Sequence, residues 1–304
     1  MLDLDVAGDR LLEYLARIRR EHPERIAEAL QARRRRSLLN ESGRIFLIAA
    51  DHPARGVLKA GADSLAMADR GELLRRVRIA LERPGVDGMM ATPDVIDDLV
   101  LLGALEGKVV FGSMNRGGLG GSVFELDDRI TAYDAVAIEA ARLEGGKLMV
   151  RVADDDPATL NTMVATAGAI NDLADRRLVA MVEVFASRHD GQRAVNVDDT
   201  DALVRAVSVV QGLGRTSAYT WLKLPVVKDL AKLMRATSLP VVLLGGDPGG
   251  DAAATYERWK EAMAWPQVIG LVAGRTLLYP PDGDVARAVD QAAAIVGAMS
   301  RPAA

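Results

Sequence analysis

From residue 44 onward, short apolar runs alternate with longer stretches of helical spacing. The runs are "RIFLIAA" (44–50), "VDGMMAT" (86–92), "VVFGS" (109–113), "KLMVRV" (147–152), "LVAMVEVF" (178–185), "YTWLKLP" (219–225), "PVVLLGG" (240–246) and "VIGLVAG" (268–274). Each has the length and continuous apolar character of a strand buried on both faces. Between them, "GELLRRVRIALERPG" and "DVARAVDQAAAIVGAM" are amphipathic, and "DDTDALVRAVSVVQGLG" opens on capping acids and closes on glycines. Thr92-Pro93 and Asp156-Pro157 carry the cap-then-proline signal of a helix start. Strands alternating with helices predict parallel pairing, and eight such units over ~250 residues predict an α/β chain closed as a (β/α)8 TIM barrel. An open doubly wound sheet is the structural alternative. It would carry a glycine-rich turn after its first strand, where this chain has "AADHPARG".

Residues 1–43 precede the repeat and predict an N-terminal helical extension, with the barrel spanning 44–304. Leu11, Leu12, Leu15 and Ile18 form one helical stripe, and Ile26, Leu30 and Leu38 a second. These helices are expected against the barrel bottom or a neighbouring subunit, so a homo-oligomer is compatible with the sequence. The run Arg33 to Arg36 reads as a solvated helix face. A phosphate or RNA patch is the other reading, but no RNA-binding aromatic motif accompanies it.

Composition narrows the function classes. Of 304 residues 49% are hydrophobic, enough for a large core, and the formal net charge of −4 gives no argument for nucleic acid or membrane binding. There is no cysteine, which removes thiol nucleophiles and thiolate metal sites. The start of the chain lacks a signal pattern, and a cytoplasmic protein is expected. His22, His52 and His189 lie far apart, without the spacing of a zinc site, so no metal and no other cofactor is expected.

A barrel of this kind does its chemistry at the C-terminal strand ends. The polar residues there are Asp51 and His52 after the first strand, and Asn115 and Arg116 in the glycine-rich "GSMNRGGLGGS" after the third. Lys147 and Arg151 share one face of the fourth strand, although Lys147 lies near its start and an exposed bottom position competes. Glu183 sits alone in the apolar fifth strand and needs a partner, for which an interior lysine is natural. Lys223 shares a face of the sixth strand with Tyr219 and Trp221. Gly245 and Gly246 end the seventh strand, and Gly274 and Arg275 the eighth, the usual barrel position for a phosphate. Arg275 offers a bidentate contact to it. His52 reads as structural.

The order "AADH", "VE", "LKLPVV", "PVVLLGG" and "VAGRTLLY" over residues 44–298 resembles the metal-independent class I aldolases of the deoxyribose-phosphate, tagatose-bisphosphate and archaeal-type fructose-bisphosphate group. The resemblance implies a Schiff base on Lys223. It implies acid–base work at Asp51 and Glu183 and a second active-site lysine at Lys147. It also implies phosphate binding by Gly245, Gly246, Gly274 and Arg275. Arg116 and Arg151, from their places after the third strand and on the fourth, are expected as further substrate ligands. The archaeal-type enzymes place a proton-shuttling tyrosine where this chain has Phe185, which puts plain fructose-bisphosphate cleavage in doubt. The substrate implied is a phosphorylated sugar or keto-acid that yields dihydroxyacetone phosphate. The best match is 2-deoxy-5-keto-gluconate 6-phosphate of inositol catabolism. An isomerase using a carboxylate base, a lysine-dependent transferase and a non-catalytic sugar-phosphate sensor remain open.

Overall fold

A computed structural model of the chain describes residues 8–191, 193–246 and 251–297. Its strands are β1 (Ile45–Ala49), β2 (Gly88–Ala91), β3 (Val109–Ser113), β4 (Gly145–Val152), β5 (Val179–Asp190), β6 (Arg193–Asn196), β7 (Thr220–Leu224), β8 (Val241–Leu244) and β9 (Val268–Ala273). Neighbours run β4-β3-β2-β1-β9-β8-β7-β5, and β4 pairs with β5 to close the ring. All eight barrel strands are parallel, with helices between them, so the chain folds as a (β/α)8 barrel.

The two-residue period of a strand sorts its side chains. Ile45, Leu47, Phe111, Met181, Trp221 and Val242 pack together inside the barrel. Their alternates, such as Phe46, Ile48, Val110, Val182 and Leu222, face the surrounding helices. Lys147, Glu183 and Lys223 fall on the inward period of β4, β5 and β7. Polar side chains of three neighbouring strands thereby all point into the barrel, although Lys147 lies near the start of β4. No helix among the described residues is long and apolar enough to cross a membrane.

The N-terminal extension contains α1 (Gly8–Glu21) and α2 (Glu24–Ala32), which pack on the helices Arg70–Glu82 and Pro93–Leu101. Leu11, Leu15 and Ile18 of α1 are buried, as the stripe predicts. The arginine run departs from expectation: it lies beyond α2 and is not a solvated helix face. Arg33 is 1% exposed, and its guanidinium donates to Lys108 O at 2.5 Å and Arg142 O at 2.7 Å. Arg35 bonds Glu144 at 2.7 Å and Arg36 bonds Asp87 at 2.9 Å. Those two acids in turn accept the backbone N–H groups of Val110 and Phe46 at the starts of β3 and β1. The run therefore closes the amino-terminal rim of the barrel, because open ladder ends need acceptors and buried acids need cations. Leu38 and Leu39 follow it and pack against the interior cluster from below.

This arrangement separates the four arginines. Arg33→Ala is expected to cost about 3 kcal/mol, since it orphans two partly buried carbonyls and removes a cation from the buried Glu144. The exposed pair of Arg34 with Glu106 is expected to be worth less than ~1 kcal/mol. Urea unfolding of the two alanine variants checks the difference.

Candidate active site

The carboxyl ends of the strands hold a chain of alternating charge. Lys223 of β7 donates to Glu183 Oε1 on its register neighbour in β5. Lys147 Nζ contacts the other oxygen of Glu183 and lies 3.1 Å from Asp51 Oδ2. Asp51 Oδ2 also takes a hydrogen bond from Ser113 Oγ at 2.8 Å and pairs with Arg116 at 3.1 Å. Arg116 fixes the same turn from behind by donating to Asp51 O at 2.9 Å. Asp51, Lys147, Glu183 and Lys223 are all buried, so Lys147 is not the exposed bottom residue that its place near the strand start suggested. The predicted interior lysine partner of Glu183 is in fact a pair.

These contacts set the ionisation. Burial would raise Asp51, but Arg116 and Lys147 overcome it and hold the carboxyl well below its ordinary range. Burial would likewise raise Glu183, and Lys147 with Lys223 outweighs it and lowers the group. Lys147 is lowered by burial despite Asp51 and Glu183 beside it. His52 is pushed down by burial to about 3, which leaves its ring neutral.

Two connected cavities open on this chain. One, of about 230 Å³, runs over Asp51, Lys147 and Glu183 toward Arg55, Arg116 and Arg151. The other, of about 320 Å³, runs over Lys223 toward Gly245, Gly246, Gly274 and Arg275. Lys223, Glu183, His52, Phe185, Asn196 and Arg275 border both. The structure thus brings Gly245, Gly246 and Gly274 to one lobe and Arg116 and Arg151 to the other, with Arg275 bordering both. Arg151 is turned into a two-bond pair with Asp128, at 2.8 and 3.0 Å.

Local sequence explains the glycines. Gly246 holds φ of +77°, the left-handed region that suits glycine, and a Cβ at Gly274 would stand 2.4 Å from Ala49 O of β1. Thr276 ties the two turns together by donating to Gly245 O at 3.0 Å. The following "DPGG" (247–250) lies outside the described residues. The glycine-rich segment after β3 packs down onto the mouth: Asn115 Nδ2 donates to Asp128 O and Met149 O at 3.0 and 2.7 Å.

Several residues of the site were not anticipated. Ser113 was readable, since it shares the inward period of Val109 and Phe111. Asn196 belongs to the β5–β6 hairpin, an antiparallel flap in which Ser187 Oγ donates to Asn196 Oδ1 at 3.0 Å. Arg55 comes from the short 3-10 turn Pro53–Arg55 after β1.

Solved structures extend the comparison. The crystal structure of Cgl0159 from Corynebacterium glutamicum is 48% identical, with 95% of this chain and 97% of that one covered and a TM-score of 0.92. A Schiff-base-forming fructose-1,6-bisphosphate aldolase is 15% identical, with 89% and 99% covered and a TM-score of 0.64. The fructose-bisphosphate aldolase of Slackia heliotrinireducens is 14% identical, with 89% and 83% covered and a TM-score of 0.66. The two aldolases share the barrel fold with this chain. Among curated proteins none matches. Residues 43–293, the whole barrel short of its last few residues, match the Cgl0159-like family, and the chain belongs to that family.

Proposed function

We propose that the chain is a metal-independent class I aldolase, forming or cleaving a carbon–carbon bond of a phosphorylated keto-sugar or keto-acid through an imine on Lys223. One observation carries the reading: Lys223 is the buried amine that borders both lobes of the cleft and contacts Glu183, whereas Lys147 borders one lobe and is clamped by two carboxylates. The barrel shared with a Schiff-base-forming aldolase supports it.

Glu183 takes a proton from the Lys223 ammonium, the freed amine adds to the ketone carbon, and Glu183 passes two protons in turn from the nitrogen to the oxygen, which leaves as water while one N–H stays on the imine. The protonated imine then draws in the electrons of the adjacent carbon–carbon bond. Asp51 accepts the proton of the hydroxyl that becomes the aldehyde. The enamine left on Lys223 takes up at carbon the proton that Asp51 removed, and one water hydrolyses the imine to release the ketone and the lysine ammonium. Lys147 holds both carboxylates in place, and Gly245, Gly246, Gly274 and Arg275 receive the phosphate. Phe185, where the archaeal-type aldolases are expected to carry a proton-shuttling tyrosine, has no proton to give, so the transfers at the imine are assigned to Glu183. The implied ketone product is dihydroxyacetone phosphate. Within the class, 2-deoxy-5-keto-gluconate 6-phosphate and the sugar bisphosphates are the candidate substrates.

Borohydride reduction in the presence of dihydroxyacetone phosphate is expected to leave a stable adduct on the peptide containing Lys223. Mass spectrometry that finds the adduct on Lys147, or finds none, overturns the reading. The second result would leave an isomerase or a non-catalytic sensor.

A further inference from the structure

The lobe opposite the glycine turns carries more positive charge than its own acids balance. Six cationic side chains and three carboxylates border the cavity of about 230 Å³. Asp128, behind Arg151, brings the acids to four. Two of the three guanidiniums on this side are committed: Arg116 to Asp51, and Arg151 to Asp128 with Glu125 at 3.5 Å. Arg55 is different. It makes no ion pair among the described residues, yet it is not loose. Its Nε donates to Gly118 O at 2.8 Å, and its NH1 rests 3.3 Å from Met149 Sδ. Its own carbonyl accepts Gly120 N at 2.9 Å, so the glycine-rich segment holds both the backbone and the stem of this side chain. Burial, with Arg151 beside it, lowers the guanidinium to about 10, the direction expected where an anionic partner is missing.

We propose that Arg55 binds a carboxylate at the end of the substrate opposite its phosphate, which makes the substrate a phosphorylated keto-acid and not a sugar bisphosphate. This rests on the aldolase reading above. A pre-set guanidinium fork matches a planar carboxylate through two parallel hydrogen bonds. One uncommitted guanidinium balances one negative charge. Among the described residues no second glycine turn at paired strand ends borders this lobe, as one does in the lobe bordered by Gly246 and Gly274. The two lobes meet at Lys223, so a chain with an anion at each end would lie with its ketone over the amine.

The test compares 2-deoxy-5-keto-gluconate 6-phosphate with its methyl ester, which keeps the shape and removes the charge. Wild-type kcat/KM is expected to fall about 100-fold on esterification. In Arg55→Gln the acid-to-ester ratio should collapse toward one, and Arg55→Lys should restore part of it. A residue with a merely structural part would lower both substrates alike and leave the ratio standing. The wild-type ratio needs no variant to fold. An acid and ester turned over equally well by the wild type, or a higher kcat/KM for fructose 1,6-bisphosphate, would overturn the proposal. Trapping of dihydroxyacetone phosphate by the same wild-type protein keeps the two apart. An adduct with no ester effect removes the carboxylate site alone, and no adduct removes the aldolase reading with it.

Discussion

Lys223→Met is expected to abolish the borohydride-trapped adduct and to lower retro-aldol turnover by roughly 10⁴-fold or more, the scale seen when a covalent nucleophile is removed. Methionine fills most of the lysine's volume with apolar atoms. Its site is already apolar on one side, where Trp221 packs near Phe111 with ring centroids 6.1 Å apart. Glu183 keeps Lys147 as its cation, so no carboxylate is left bare. Because Glu183 keeps a second cation, the loss of one ammonium should cost well under the ~3–5 kcal/mol of a buried charge left unpaired. The variant should therefore melt near the wild type while losing the chemistry, and that split marks a catalytic lysine. Lys147→Met supplies the contrast. It separates Asp51 from Glu183 and should slow turnover, but the adduct should still form on Lys223. Activity in Lys223→Met within tenfold of wild type would remove the imine mechanism.

The barrel was legible because each strand is a continuous apolar run and the helices between them carry their own caps. The polar interior was legible for the same reason: in β4, β5 and β7 the period of two leaves Lys147, Glu183 and Lys223 nowhere to point but inward. What failed to show was whatever depends on a partner distant in sequence. The run Arg33 to Arg36 looks solvated because its acids, Asp87 and Glu144, lie 51 and more residues on. Arg151 looked like a free substrate ligand because Asp128 comes from the irregular segment after β3. Arg55 sits in a three-residue turn whose composition says nothing about the cavity beside it. The β5–β6 hairpin is polar and mostly exposed, with no apolar alternation to betray it. Asp190-Gly191 was a local turn signal there, and Gly191 does adopt φ of +63°.

Glu183 is where fold and chemistry meet, and its replacement by glutamine should be felt in both. Glu183→Gln removes the carboxylate shared by two buried ammoniums and leaves Asp51, already committed to Arg116 and Ser113, as the remaining acid of the chain. Breaking a buried pair by deleting one partner costs ~3–5 kcal/mol, and that is the loss of unfolding free energy expected at pH 7. The pH dependence follows from the direction of the shift. The folded carboxyl is held below its ordinary value of 4.5, so its contribution is fully present above that pH and is lost as pH falls through the acid range. The gap between wild type and variant should therefore begin to narrow below about pH 4, where the unfolded glutamate takes up its proton while the folded one, held lower, stays ionised. They should also draw together toward alkaline pH. Lys147 is lowered by burial, and in the variant a neutral amine no longer needs the missing anion. Urea unfolding of both proteins at intervals from pH 3 to 10 would trace this gap. A gap that stays constant across that range would mean that Glu183 acts by shape and not by charge, which would also deny it the proton transfers assigned to it.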